Sequence, residues 1–299
     1  MIFSIPFLLY AIFIIATDPF NFIRVGSVIP DDVKTRTSFA LNPCFWKMES
    51  YVKNPLPNLL LGDSRMQAIS TTQLKNLTGD DYFNFAYGGA TMREILDTFW
   101  FAVKHEKIEK VYIGLNLTVY SDYNITDRTK TYLTISENPA LYFVNRTVLQ
   151  SAVYATYSYV TATDLKLGVP SGDAETFWRH QLLDVDGGYF RNYVYPARYR
   201  SELQQVAEHC QRNGITLTFI IFPTHSDVHG LMNQYNLAEY NLKFREDLSQ
   251  FGVAYDFDFP NDLTANRQNF RDPDHTTGPV TESVTVQVWK GPLRDGRIL

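Results

Sequence analysis

Cysteine is almost missing from this chain: Cys44 and Cys210 are the two examples in 299 residues. Their positions match no metal or redox spacing, which removes cysteine-based metal and thiol chemistry from consideration, and a bridge between them cannot be read from the sequence. Basic runs are missing too. Lys and Arg number 27 against 32 Asp and Glu, for a formal charge of −5, and they are scattered. A phosphate-backbone partner needs clustered cations, so nucleic acid is excluded as a partner. There is no low-complexity tract and no internal repeat. Histidine is sparse, with 6 in the chain. His225 and His229 stand four apart, but no glutamate of a metalloprotease signature lies between them, and they follow an apolar run ending at Phe222. They read as part of a loop lining a cleft. Asp184-Val185-Asp186-Gly187-Gly188 starts like a calcium loop and lacks the later ligands, so it reads as a turn. No metal and no cofactor is expected.

Long hydrophobic runs are short of a full span. Residues 2–16 are apolar and uncharged, broken by Ser4 and Pro6, where a bilayer crossing takes about 20 residues. No Lys or Arg precedes the run, and Ile15-Ala16-Thr17-Asp18-Pro19 makes a poor cleavage site, so an uncleaved membrane anchor over 1–23 is expected, with either Phe20, Phe22 and Ile23 at the interface or the native start upstream. Arg24 and Lys34 are too few to orient it. Residues 24–57, punctuated by Pro30, Pro43, Pro55 and Pro57, read as a connector running over the surface.

What is present is a hydrophobic content of 45%, ample for one large domain or two small ones. From residue 58 short apolar strands alternate with amphipathic helices. Strands are expected over 58–61, 81–86, 110–117, 215–222 and 253–257. Helices are expected after Ser64, over 91–107, 197–212 and 237–251, and from Gly278-Pro279 onward. That rhythm belongs to an α/β domain over 58–299, with a parallel sheet covered on both faces. Residues 119–199 interrupt it and are rich in Tyr and Phe, an inserted segment whose rings serve mainly to pack. Within it, 141–159 has helical character.

In open parallel sheets ligands collect outside the carboxyl ends of the strands. Leu59-Leu60-Leu61-Gly62-Asp63-Ser64-Arg65 puts a hydroxyl there, on the turn from strand to helix. Gly88-Gly89 ends the second strand, Asn116 the third, and Asp272-Pro273-Asp274-His275 precedes the last helix. A serine attacks a carbonyl only when a base takes its proton and a third group holds that base in one tautomer. Ser64, His275 and Asp272 fill those roles. Asp274 competes for the orienting role from a geometrically worse neighbouring position. The oxyanion needs donors aimed in advance, and the N–H groups of Ser64 and Gly89 with the side-chain amide of Asn116 would provide them. Arg65 and His225 are candidates to touch bound substrate.

These residues resemble the blocks of the SGNH, or GDSL-type, hydrolase superfamily. Gly62-Asp63-Ser64 matches the first block, Asn84 to Thr91 resembles the second with Gly89 at the oxyanion position, Gly114-Leu115-Asn116 matches the third, and Asp272 with His275 the closing D-x-x-H. Two positions depart from the pattern. Leu117 stands where an acidic residue often follows the asparagine, and Arg65 where the namesake motif has leucine. The resemblance implies a three-layer α/β/α, flavodoxin-like fold. The apolar start followed by Asp18-Pro19-Phe20 is similar to the branch of membrane-attached proteins that move acyl groups onto envelope polymers, by D-alanyl transfer to teichoic acids or O-acetylation of alginate-like polysaccharides. For that branch the resemblance implies an extracytoplasmic domain and a polysaccharide or teichoic-acid-like acceptor. It also implies a multi-pass membrane O-acyltransferase as acyl donor. An esterase or deacylase of the same fold differs only in letting water attack the acyl-enzyme, and a non-catalytic glycan-binding subunit would have no need of the three residues together.

Overall fold

The computed structural model describes residues 5–167 and 173–299. In chain order its elements are α1 (Ile5–Thr17), α2 (Asp31–Lys34), α3 (Pro43–Lys53), β1 (Asn58–Leu61), α4 (Ser64–Gln67), α5 (Thr71–Thr78), β2 (Tyr82–Asn84), α6 (Met92–His105), β3 (Lys110–Gly114), α7 (Thr129–Glu137), α8 (Arg146–Thr161), α9 (Ala174–Leu183), α10 (Ala197–Asn213), β4 (Thr216–Ile221), α11 (Ser226–Gln234), α12 (Ala238–Phe251), β5 (Val253–Asp256), α13 (Asp262–Ala265), β6 (Phe270–Asp272), β7 (His275–Thr276), α14 (Gly278–Lys290) and β8 (Arg297–Ile298). The chain forms two compact units, Met1–Asn54 with Arg128–Pro170, and Pro55–Asp127 with Ser171–Leu299. Residues 119–199 are thus divided between them.

The larger unit is α/β. Its described residues form a six-stranded sheet in the order β2-β1-β3-β4-β5-β8, in which β1 to β5 are parallel and the short β8 is antiparallel. Parallel strands buried on both faces read as continuous apolar runs, and Leu59, Leu60 and Leu61 are all buried. Successive residues point to opposite faces. Leu60 and Ile220 meet Leu74 of α5 and Val284 and Val288 of α14 in one core cluster. Helices α6, α10 and α12 pack in sequence with one another and rest on β1, β4 and β5. Right-handed crossovers send the β1–β2 and β2–β3 connections to opposite faces, since the second steps back across β1.

Local signals end the helices as expected. Thr91 and Glu94 form a capping box at the start of α6, and Gly214 in a left-handed conformation closes α10. The helix expected after Ser64 is broken in two, because the Ser70 side chain accepts the Gln73 N–H and starts α5 afresh. The hairpin β6–β7 stands where the sequence reads a plain loop.

The smaller unit is helical. Helix α8 packs with α1 and α2, and α3 packs with α7. An aromatic group of Phe20, Phe22, Phe45, Tyr132 and Tyr142 fills its interior. Where the sequence suggests an open connector over 24–57, α2 and α3 form, and Phe45, Met48 and Tyr51 of α3 are buried. Residues 1–4 of the expected anchor lie outside the described residues. Helix α1 has 13 residues, and among the described residues no helix is long and apolar enough to cross a membrane. Asp18 ends it: this buried carboxylate accepts the N–H groups of Phe22, Ile23 and Arg24 and the Tyr142 hydroxyl, folding the chain back. Phe7, Leu8 and Leu9 remain more than half exposed on α1. Cys44 and Cys210 are both buried thiols, with no disulfide between them.

Candidate active site

The hydroxyl is delivered by a turn that only glycine allows. Gly62 has φ +148°, and a Cβ on it would lie 2.8 Å from the Gly114 carbonyl oxygen and 2.9 Å from Met66 Cβ. The end of β1 therefore passes hard against the end of β3. Asp63 caps the next turn by accepting the Arg65 N–H at 3.0 Å, and Ser64 opens α4.

The base comes from the β6–β7 hairpin. Asp272 closes β6, His275 opens β7, and they are paired across a two-residue loop, Pro273-Asp274. Asp272 Oδ1 accepts three N–H groups: the His275 ring Nδ1–H at 2.7 Å, the Asp274 backbone at 3.0 Å and the His275 backbone at 3.1 Å. The Pro273 carbonyl accepts the His225 N–H at 2.8 Å, which ties the hairpin to the start of α11.

An ionised carboxylate can only accept, so the proton on His275 sits at Nδ1 and Nε2 is left as an acceptor. The Ser64 hydroxyl donates to that Nε2 across 2.6 Å. Serine, imidazole and carboxylate thus form a continuous chain of hydrogen bonds, the first two separated by 211 positions in the sequence. Asp272 is buried, while Ser64 and His275 are partly open to a cavity of about 160 Å³. Gly89, in a left-handed conformation with φ +66°, lines the same cavity. So do Thr118, Asn124, Gln181, Asp184 and Tyr189.

Two expected site residues lie elsewhere. Asn116 is 2% exposed and absent from the wall around Ser64; its Nδ2 donates to the Phe222 carbonyl at 2.8 Å, because β3 continues alongside β4 and turns the amide toward that strand's end. One of its two amide N–H groups is thus taken by the Phe222 carbonyl. His225 is buried beneath the hairpin, edge-on to Trp178 and Phe270, and its Nδ1 accepts the Asp227 N–H that caps α11. Burial holds its pKa below the usual imidazole value, and it supports the site without touching the cavity. His229 is likewise occupied, with Nε2 2.9 Å from Asp258 Oδ1. Among the described residues no group of three or more His, Cys, Asp and Glu side chains could hold a metal ion.

Arg65 does reach the wall, although its nitrogens face protein groups. Nε and Nη2 donate to Asp63, Nη2 also to Thr118 Oγ1 at 3.3 Å, and Nη1 lies 3.6 Å from Asp274 Oδ1. Burial pushes the Asp274 carboxyl up to about 6, with Asp272 and Asp63 adding to the rise and Arg65 and His275 opposing it. Burial also works against the Arg65 charge, but Asp63 and Asp274 more than restore it, and its pKa goes up. The sequence pointed to neither Thr118, Gln181 nor Tyr189. Gln181 and Tyr189 come from α9 and the π-helical turn Asp184–Phe190, inside a segment that carries no motif.

No family model matches the chain, and no curated protein matches it. Solved structures that resemble it include a GDSL-like lipase from Bacteroides thetaiotaomicron VPI-5482, at 10% identity over 84% of this chain and 98% of that one, TM-score 0.42. A protein assigned to the G-D-S-L lipolytic family from Desulfitobacterium hafniense DCB-2 shares 10% identity over 78% of this chain and 97% of that one, TM-score 0.40. A protein assigned as an acylhydrolase from Bacteroides fragilis NCTC 9343 shares 14% over 81% and 96%, TM-score 0.37. At such values the likeness carries neither fold nor chemistry, and both rest on the geometry described above.

Proposed function

We propose that this chain is a serine-dependent acyl-transfer enzyme of the SGNH type, which passes a short acyl group, acetyl or D-alanyl in kind, through Ser64 to a hydroxyl of a cell-envelope polymer. The observation that carries the reading is the hydrogen-bonded chain from Ser64 through His275 to Asp272 at the carboxyl edge of a parallel sheet. His275 would take the Ser64 proton as Oγ attacks the acyl carbonyl, then return it to the leaving group. The Asp272 carboxylate would steady the imidazolium formed in between. In the second half an acceptor hydroxyl gives its proton to the same nitrogen and attacks the acyl-enzyme. The N–H groups of Ser64 and Gly89 are the proposed oxyanion donors. A cavity of about 160 Å³ suits a short acyl group better than a fatty chain.

The polymer acceptor, a membrane O-acyltransferase as donor and an extracytoplasmic location are part of the same proposal. The exposed apolar residues of α1 support membrane attachment through that helix. A hydrolase that releases the acyl group to water uses the same residues, and the test separates the two. Purified protein is given an activated acetyl or alanyl ester with and without a soluble glycan. Intact mass should show an acyl adduct on Ser64 that the glycan discharges with transfer. Hydrolysis at an undiminished rate whether or not glycan is present would leave the esterase reading, and no adduct with any ester would remove both.

A further inference from the structure

Arg65 and Asp274 are costly residues to bury, and their positions give the reason they are there. The Arg65 side chain is 7% exposed and that of Asp274 14%. The facing atoms of the pair, Nη1 and Oδ1, are buried without a hydrogen-bond partner among the described residues and lie 3.6 Å apart, too far for a direct bond. A buried pair held this loosely does not repay its desolvation, so stability is a poor explanation for it. Its connections are more telling. Asp63 precedes Ser64 and Arg65 follows it; Asp274 precedes His275. One guanidinium thus rests on the turn that carries the nucleophile, reaches the loop after β3 through Thr118, and faces the hairpin that carries the base.

We propose that Arg65 is a positioning residue, whose guanidinium, seated on Asp63 and spanning Thr118 and Asp274, fixes the hairpin of His275 against the turn of Ser64. The Ser64–His275 bond and the Arg65–Asp274 pair are then two parallel ties between the same two loops, one residue apart in each. The Ser64 tie is made and broken in each catalytic cycle, whereas the Arg65 tie persists and holds the distance between them. A lysine keeps the charge but has a single nitrogen and cannot lie on Asp63 while facing both other partners.

The kinetic arm of the proposal rests on the serine-enzyme reading; a spectroscopic arm does not. Wild type, Arg65→Lys, Arg65→Met, Asp274→Asn and the Arg65→Met/Asp274→Asn double variant are assayed on p-nitrophenyl acetate, and the low-field proton resonance of the His275 Nδ1–H is recorded for each. Expected results are a fall in kcat of roughly 10- to 100-fold in the single variants with KM nearly unchanged, since displacement by about 1 Å costs that order in rate. Lysine should rescue little, and the double variant should be no slower than Arg65→Met. The resonance should broaden toward loss in the Arg65 variants while Asp272 is intact. A rise in KM with kcat unchanged, multiplying losses in the double variant, or a sharp unshifted resonance in Arg65→Met would each overturn the assignment. If Arg65→Met fails to fold, Asp274→Asn, which keeps the Arg65–Asp63 pair and the side-chain volume, decides by the same readouts. If wild type turns over no ester, the serine-enzyme reading fails and the resonance alone judges the tie.

Discussion

Replacing Asp272 by asparagine tests the mechanism with little disturbance of the fold. In the native chain one oxygen of Asp272 holds two backbone N–H groups of its own turn and the ring N–H of His275. An asparagine can keep Oδ1 in place and go on accepting from the backbone, so the hairpin should persist. What it loses is the negative charge 2.7 Å from a ring that becomes positive when Ser64 gives up its proton. A hydrogen bond to a charged group contributes about 1.5–3 kcal/mol, and leaving a buried charge without its partner costs about 3–5 kcal/mol. Taking roughly 3–5 kcal/mol as the loss in the transition state, kcat should fall on the order of 100- to 5,000-fold, at about 1.4 kcal/mol per tenfold. The assay is hydrolysis of p-nitrophenyl acetate under saturation, with thermal unfolding beside it, and the melting temperature should move little. Groups that act as a unit are not additive, so Ser64→Ala/Asp272→Asn should be no slower than Ser64→Ala alone. A kcat within tenfold of wild type, or a further loss in the double variant, would refute the three-residue relay.

Ser64→Ala should abolish labelling by a fluorophosphonate probe, read by intact mass, and leave the unfolding curve almost unchanged because the side chain faces a cavity. Asp274 should make stability fall with rising pH. Its carboxyl is raised in the folded state to about 6 from an ordinary value of 3.8, so its contribution is complete below pH 4 and is lost as pH climbs through 6. The difference corresponds to roughly 3 kcal/mol, and urea titrations at pH 4 and pH 7 should show wild type losing that much relative to Asp274→Asn. Gly62→Ala should cost about 2 kcal/mol or more and depress kcat as well, since both the backbone angle and the Gly114 carbonyl oppose a side chain there. Leu60→Ala, in the cluster with Met66, Ile220, Phe257 and Val284, should cost about 2–5 kcal/mol by denaturant titration with little effect on KM.

Strands over 58–61, 110–117 and 215–222 were legible because a buried parallel strand is a short apolar run between turn residues, and Thr91 and Pro279 stood at expected helix starts. The order of the strands came from the structure, and handedness then assigned each connection to a face. Ser64 was legible as a candidate for the same local reason, standing at the end of such a run where a parallel sheet gathers its ligands, whereas Asp272 and His275 were read from their three-residue spacing in the segment before the last helix. Position in space was not local information. Asn116 and His225 stand at plausible places in the chain, yet the register of β3 against β4 turns one toward Phe222 and the packing of Trp178 and Phe270 encloses the other. The division of 119–199 between two units, and the arrival of Gln181 and Tyr189 beside Ser64, depend on contacts between residues distant in sequence. So does the seating of Arg65 across Asp63, Thr118 and Asp274. A side chain's type follows from the sequence, but its partners follow from which loops the sheet brings together, and no periodicity records that.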